Sequence, residues 1–134
     1  MLSRIHIVLA LVVLSASLGL AKKYVLTPAT IVPAAAGELE IGTDKNGNTE
    51  LKVRVRHLAK PEGLTPAKSA YVIWIQQTGG TPERAGLLKV NSKLEGSFET
   101  TTPYKAFDLS ITAEDDPNLK SPLGPEVFRG SVRP

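Results

Sequence analysis

Residues 38–58 read "ELEIGTDKNGNTELKVRVRHL", and this stretch decides the fold. In its second half, Leu51, Val53 and Val55 alternate with lysine and arginine, which is the two-residue period of a β-strand with one wet face. The first half alternates in the same way, and "DKNGN" between the two halves is typical of a turn. The stretch therefore predicts an antiparallel hairpin that buries one face and exposes the other.

The turn determines which residues of this hairpin face each other. A two-residue Asn-Gly turn would set Ile41 opposite Lys52 and would mix core and solvent residues on one face. A three-residue loop at 45–47 sets Ile41 opposite Leu51 instead, so that one face is apolar and the other pairs opposite charges. The other pairs in this register are Leu39–Val53, Glu40–Lys52 and Glu38–Arg54. We predict this second register, with Gly47 left-handed in a bulge.

Similar short runs recur along the chain and indicate the fold class. Ten prolines interrupt the sequence, and no stretch between them has a long 3.6-residue apolar period. The predicted strands are 38–43, 49–58, 70–77, 86–91, 96–102, 106–114 and 126–132. Seven short strands at this spacing predict an all-β fold, an Ig-like antiparallel β-sandwich over residues 36–134. Residues 22–35 are expected to be an extended segment that either adds to the domain or tethers it.

The strand "YVIWIQ", at 71–76, is apolar on both faces and contains the only tryptophan, Trp74. This pattern predicts a central strand. We predict that Val72 and Trp74 point into the core, because a large aromatic side chain usually packs between the sheets of a sandwich. The opposite face is then a possible interaction surface, unless the 24–33 segment covers it. This face consists of Tyr71, Ile73 and Ile75.

Residues 1–21 predict a cleaved secretory signal peptide. Arg4 supplies the positive start, an apolar run follows, and small residues precede "KK" at 22–23. We place cleavage after Ala21; cleavage after Ser17 and retention as a membrane anchor are the alternatives. Removing the segment lowers the formal charge from +3 to +2, because Arg4 is its only charged residue. The mature protein is therefore expected to be exported, periplasmic or extracellular, with no general attraction to nucleic acid.

Few residues of the mature sequence offer catalytic or metal-binding chemistry. It has no cysteine, and its only histidine is His57, which excludes thiolate and multi-histidine sites. Acidic residues cluster at Glu114–Asp116. Such a cluster could bind calcium, and the alternative function is a carbohydrate-binding or hydrolytic domain that uses this acidic loop. We nevertheless predict no catalytic residue, no cofactor and no metal. The basic stripe of Lys52, Arg54 and Arg56 has acidic neighbours in the hairpin and is predicted to be a solvated face.

Several segments together resemble a known family. They are "NGNTELKVRVRHL", "YVIWIQQTGGTPERAGLLKVN", "GSFETTTPYKAFDLSITAEDD" and "SPLGPEVFRGSV". Their order resembles the extracytoplasmic C-terminal domain of anti-sigma-K-type regulators, and small exported bacterial proteins that carry this domain alone. The matching positions, within roughly residues 36–132, are Tyr71, Val72, Trp74, Gly86, Leu88, Val90, Phe98, Thr101, Pro103, Thr112 and Glu114.

The resemblance implies a β-sandwich outside the membrane and brings no catalytic residues with it. The regulators carry a sigma-binding part and a membrane helix before this domain, whereas a signal-like segment stands there in this sequence, so no sigma-factor binding is expected. The expected function is a non-catalytic interaction or sensing module of the bacterial cell envelope, and not an enzyme. Its partner is expected to be a protein or another envelope component, with membrane contact only during export or if the signal segment is retained.

We expect the exported protein to begin at Lys22, because Gly19 and Ala21 supply the small residues before the cleavage site. Intact-mass measurement of the protein recovered after export tests this expectation. A mass that includes residues 1–21 contradicts it and favours a retained anchor.

Overall fold

A computed structural model describes residues 21–134, so the predicted signal peptide lies outside the described residues except for Ala21. This part of the chain forms eight β-strands and one short 3₁₀ helix, Pro61–Gly63. No helix within it is long and apolar enough to cross a membrane. The strands are β1 (Lys22–Pro28), β2 (Ala36–Thr43), β3 (Thr49–Arg56), β4 (Ala70–Gln77), β5 (Glu83–Leu88), β6 (Gly96–Thr102), β7 (Phe107–Glu114) and β8 (Glu126–Val132).

Hydrogen bonds connect all eight strands in the order β5-β4-β7-β8-β1-β2-β3-β6, and every pairing is antiparallel. Strand β1 joins the two halves because it changes partner along its length. Residues 22–26 pair with β2, and residues 27–28 pair with β8. The sheet curls so that its edge strands, β5 and β6, approach each other, and the result is nearly a closed barrel.

The all-β antiparallel class predicted from the sequence is confirmed. The finer prediction, an Ig-like sandwich of about seven strands in two separate sheets, is not established. The reason is that residues 22–28, expected only to be extended, form strand β1 and connect the two halves. The strand predicted at 86–91 lies at Glu83–Leu88, because this range pairs with β4 before the chain turns towards β6.

The predicted hairpin register is confirmed. Ile41 faces Leu51, Leu39 faces Val53, and Gly47 has a φ of 79°. The side chain of Asp44 holds the turn, since its Oδ1 accepts hydrogen bonds from the backbone N–H groups of residues 46 and 48, each at 2.8 Å. The bond from the residue-48 amide is the main reason that the pKa of Asp44 is lowered.

No regular strand pairing joins β5 to β6 within residues 21–134. Side chains close most of the seam between these two strands. One end carries a single bridge between Val90 and Gly96. In the middle, Phe98 packs so close to Gly86 that a Cβ there would lie 2.5 Å from the ring, which only glycine avoids. At the other end the Tyr104 hydroxyl donates a hydrogen bond of 2.6 Å to Glu83.

The interior is filled by apolar side chains from both halves of the sheet, in line with the predicted inward face of β3. Burial of the apolar surface of these side chains supplies the main favourable free energy of folding. The buried cluster includes Leu26, Leu39, Leu51, Val53, Val55, Tyr71, Ile73, Ile75, Leu88, Phe107, Leu109, Ile111, Ala113, Val127, Phe128 and Val132.

Replacing Gly47 by alanine should destabilise the fold by about 1–2 kcal/mol, because an L-residue is strained at positive φ. A Cβ at this position would meet no atom within 4 Å, so the effect reports backbone strain alone. Gly63→Ala is the matched control, since its Cβ would also meet nothing within 4 Å and its φ is not positive. Urea melts of both variants test the prediction, and equal changes in the free energy of unfolding would contradict it.

Candidate functional site

The face of β4 predicted to be an interaction surface is instead part of the core. Tyr71 and Ile73 are fully buried, and Ile75 is only 5% exposed. The prediction was wrong because β4 pairs with β7, and directly paired residues share a face of the sheet. Ile73 lies opposite Ile111, and Ile75 lies opposite Leu109, both of which point inward.

Tyr71 is buried with its polar end satisfied. Its hydroxyl donates a hydrogen bond of 2.5 Å to the backbone oxygen of Ala59. Burial, and then the nearby charge of Glu62, raises the pKa of Tyr71 to about 12. This side chain therefore anchors the β3–β4 connection to the core and offers no surface for a partner.

The prediction that Val72 and Trp74 point into the main core is also wrong, although both side chains are buried. They lie outside the core cluster, on the outer face of β4. The indole Nε1–H of Trp74 donates to the hydroxyl oxygen of Thr112 at 2.8 Å. That hydroxyl in turn donates to Oε2 of Glu114 at 2.6 Å. A polar chain thus runs outward from the tryptophan along β7.

The segment that connects β7 to β8, residues 115–125, is called the strap. Glu114 holds the end of the strap that lies next to β8. Oε1 of Glu114 accepts a hydrogen bond from the Gly124 amide at 2.8 Å, and Oε2 accepts one from the Leu123 amide at 3.2 Å. Arg84, which pairs with Trp74 across the sheet, donates to the oxygen of Pro117 at 2.8 Å. The strap is thus tied at both ends to groups beside Trp74, and Val72 and Trp74 on the outer face of β4 are buried.

The acidic residues predicted to form an alternative site are each bonded to a different group. Glu114 is buried in the chain just described, Asp115 lies 3.4 Å from Lys68, and Asp116 accepts from the Asn118 amide at 2.8 Å. Within residues 21–134, no cluster of three His, Cys, Asp or Glu side chains could hold a metal ion. The arrangement of these three carboxylates therefore explains strap anchoring, and it gives no support to a shared carbohydrate-binding, hydrolytic or calcium site.

His57 does not join these groups. It is exposed at the end of β3 and has a φ of 56°, where the chain leaves the sheet.

A shallow groove on the other half of the barrel brings charged and apolar side chains together. It crosses the outward faces of β1, β2, β3 and β6 and extends to the turn that joins β5 to β6. We call it the charged groove. On the β1 side lies Val25, whose side chain is 82% exposed. The charged residues of its lining are Glu38, Arg54, Arg56, Lys89 and Glu95.

The cations of the charged groove make no ion pair with any other described residue. Within residues 21–134, no carboxylate oxygen lies within 4.0 Å of the charged nitrogens of Arg54, Arg56 or Lys89. Sequence reasoning found the two arginines but treated them as a solvated face. It missed Val25 and Lys89, because only the pairing of β1 with β2 and of β3 with β6 brings these distant segments together.

Comparison with known proteins gives no relative for this chain: no family model, no curated protein and no solved structure matches it. The resemblance to the anti-sigma-K-type domain therefore stays a prediction. Function has to be argued from the side chains themselves.

We expect Glu114→Ala to destabilise the protein by about 2–4 kcal/mol, because it leaves the Thr112 hydroxyl and two strap amides without their acceptor. Asp115→Ala is the matched control. It removes the neighbouring carboxylate, whose exposed ion pair should contribute under about 1 kcal/mol. Urea melts followed by the fluorescence of Trp74 test the pair, and similar losses for both variants would contradict the assigned role of Glu114.

Proposed function

We propose that this chain is an exported, non-catalytic interaction module of the bacterial cell envelope, and that the charged groove is its binding surface. The proposal is based on the side chains that line this groove. It combines an exposed apolar side chain, Val25, with the arginines of β3, which lack partners within the described chain. Exposed apolar groups and unpaired arginines are features of surfaces that bind other molecules.

Two other regions of the described surface differ from the charged groove. On the outer face of β4, Val72 and Trp74 are already buried, and the polar groups beside them hold the strap. On β8, Arg129 pairs with Glu126 at 2.6 Å, and the arginine next to the chain end, Arg133, pairs with Asp108 at 2.9 Å. The charged groove differs from these two regions because Arg54 and Arg56 make no ion pair within residues 21–134.

Export and the envelope location rest on the sequence of residues 1–21 and on the resemblance to the extracytoplasmic domain of anti-sigma-K-type regulators. Both would place the barrel outside the cytoplasm. The absence of cysteine is compatible with an envelope protein whose core is large enough to fold without disulfides. A binding module of this kind needs a rigid surface, and paired antiparallel strands supply one.

A steric block of the groove tests the proposal. Ser97 and Thr101 both lie on the outward face of β6, opposite Arg54 and Glu50 respectively, but only Ser97 lines the charged groove. We expect the immobilised protein to retain a component of a bacterial envelope extract, Ser97→Tyr to abolish retention, and Thr101→Tyr to leave it unchanged. Retention that both variants preserve would contradict the groove as the binding surface, and no retention by the unmodified protein would contradict the module.

A further inference from the structure

We infer that the charged groove takes an extended acidic segment of a protein partner, with carboxylate side chains on alternate residues and an apolar residue beside them. This inference rests on the proposed function and adds the chemical class of the ligand. Its basis is the spacing and sign of the charges in the groove, together with the exposure of Val25.

The two arginines of β3 set the spacing. Arg54 and Arg56 are both exposed on the outward face, two positions apart on one strand. Alternate residues of a strand are about 6.4–6.8 Å apart, which is also the separation of alternate side chains on any extended peptide. A segment with acidic residues at positions i and i+2 can therefore present one carboxylate to each guanidinium, which binds carboxylates with two parallel hydrogen bonds.

The neighbouring row of side chains on the same face differs from the row through Arg54 in its order of charges. Lys23, Glu40, Lys52 and Glu99 follow one another on β1, β2, β3 and β6, so their charges alternate across four paired strands. Lys52 lies 3.8 Å from Glu99. The row through Arg54 runs instead from Val25 through Glu38 to Ser97, and is neutral at both ends. Arg54 thus has one acidic neighbour across the strands, where Lys52 has two.

The acidic residues of the groove argue against a uniformly charged polyanion as the ligand. Glu38 lies next to Arg54 across the sheet, and Glu95 lies in the same lining. A polyphosphate or a nucleic acid would bring negative charge against both of these carboxylates, and like charges in close proximity repel each other. A peptide places its carboxylates at discrete positions and can carry neutral residues between them.

Val25 gives the groove its apolar contact. Its side chain is 82% exposed although it lies within a paired strand, and it stands two strands away from Arg54. Two strand spacings correspond to about 10 Å, which an apolar residue two positions before the acidic pair can span when that end of the segment turns across β2 towards Val25. Burying such a contact against an apolar residue of the partner would add affinity that does not depend on salt.

Fluorescence anisotropy with short labelled peptides tests the inference on the purified protein. The probe is Leu-Ser-Asp-Ser-Asp, and the matched peptides replace both Asp by Asn, set the two Asp side by side, or replace Leu by Ser. We expect the probe to bind at low ionic strength and to weaken with added salt, and each matched peptide to bind more weakly. Equal binding of the Asp and Asn peptides, or no binding of the probe, would overturn the inference.

Variants of the protein locate the binding. Arg54→Gln and Arg56→Gln should each weaken the probe about tenfold, as expected for losing one charge-assisted contact. Lys52→Gln, on the same strand and face, should have no effect, because Lys52 already faces Glu99. Val25→Ser should weaken only the Leu-containing peptides, whereas Leu123→Ser, equally exposed at 83% on the strap, should not.

Two further outcomes distinguish this inference from the proposed function. Displacement of the probe by inorganic tripolyphosphate with higher affinity would overturn the acidic peptide and identify a polyanion site. In a second outcome, Ser97→Tyr abolishes envelope retention but Arg54→Gln and Arg56→Gln leave it intact. This result would support the interaction module and overturn the acidic segment as its ligand. Loss of retention in all three variants, together with specific binding of the probe, supports both.

Discussion

The structure depends on strand β4 burying both of its faces. Its register against β7 directs Ile73 and Ile75 into the barrel, so the larger Trp74 has to lie outside. An indole on the outer face of a sheet would be exposed, and its N–H would need water, unless the chain covered it. The strap and the bonds through Thr112 and Glu114 meet both needs, and among residues 21–134 no buried polar side-chain atom lacks a partner.

The sequence predicted well what local chemistry determines. The hairpin register followed from the turn sequence at 44–48, with Gly47 left-handed, and from the alternation of its two strands, all within about twenty residues. The faces of β4 could not be derived in this way, because both are apolar and the partner that decides between them, β7, lies more than thirty residues away. When both faces of a strand are apolar, the neighbouring strands determine which face points into the core. The prediction relied on the size of the Trp74 side chain, and size did not determine the orientation here.

The difference between local and distant contacts also explains why the charged groove was not predicted. Arg54 and Arg56 were visible as a stripe, but their acidic neighbours in the hairpin predicted neutralisation. In the folded chain Lys52 approaches the distant Glu99, whereas Arg54 and Arg56 stay unpaired within the described residues and open onto a groove that begins at Val25. The barrel therefore separates two roles. One half uses polar groups beside Trp74 to hold the strap, and the other carries the charged groove.

Nuclear Overhauser effects from the indole N–H of Trp74 are the most direct test of its outward placement, because a single tryptophan gives a single indole signal. With the strap closed over an outward-facing Trp74, this proton should show contacts to Thr112 and exchange slowly with solvent. Contacts from the indole to Leu39 or Val53, which line the barrel interior, would contradict the account and place Trp74 in the core.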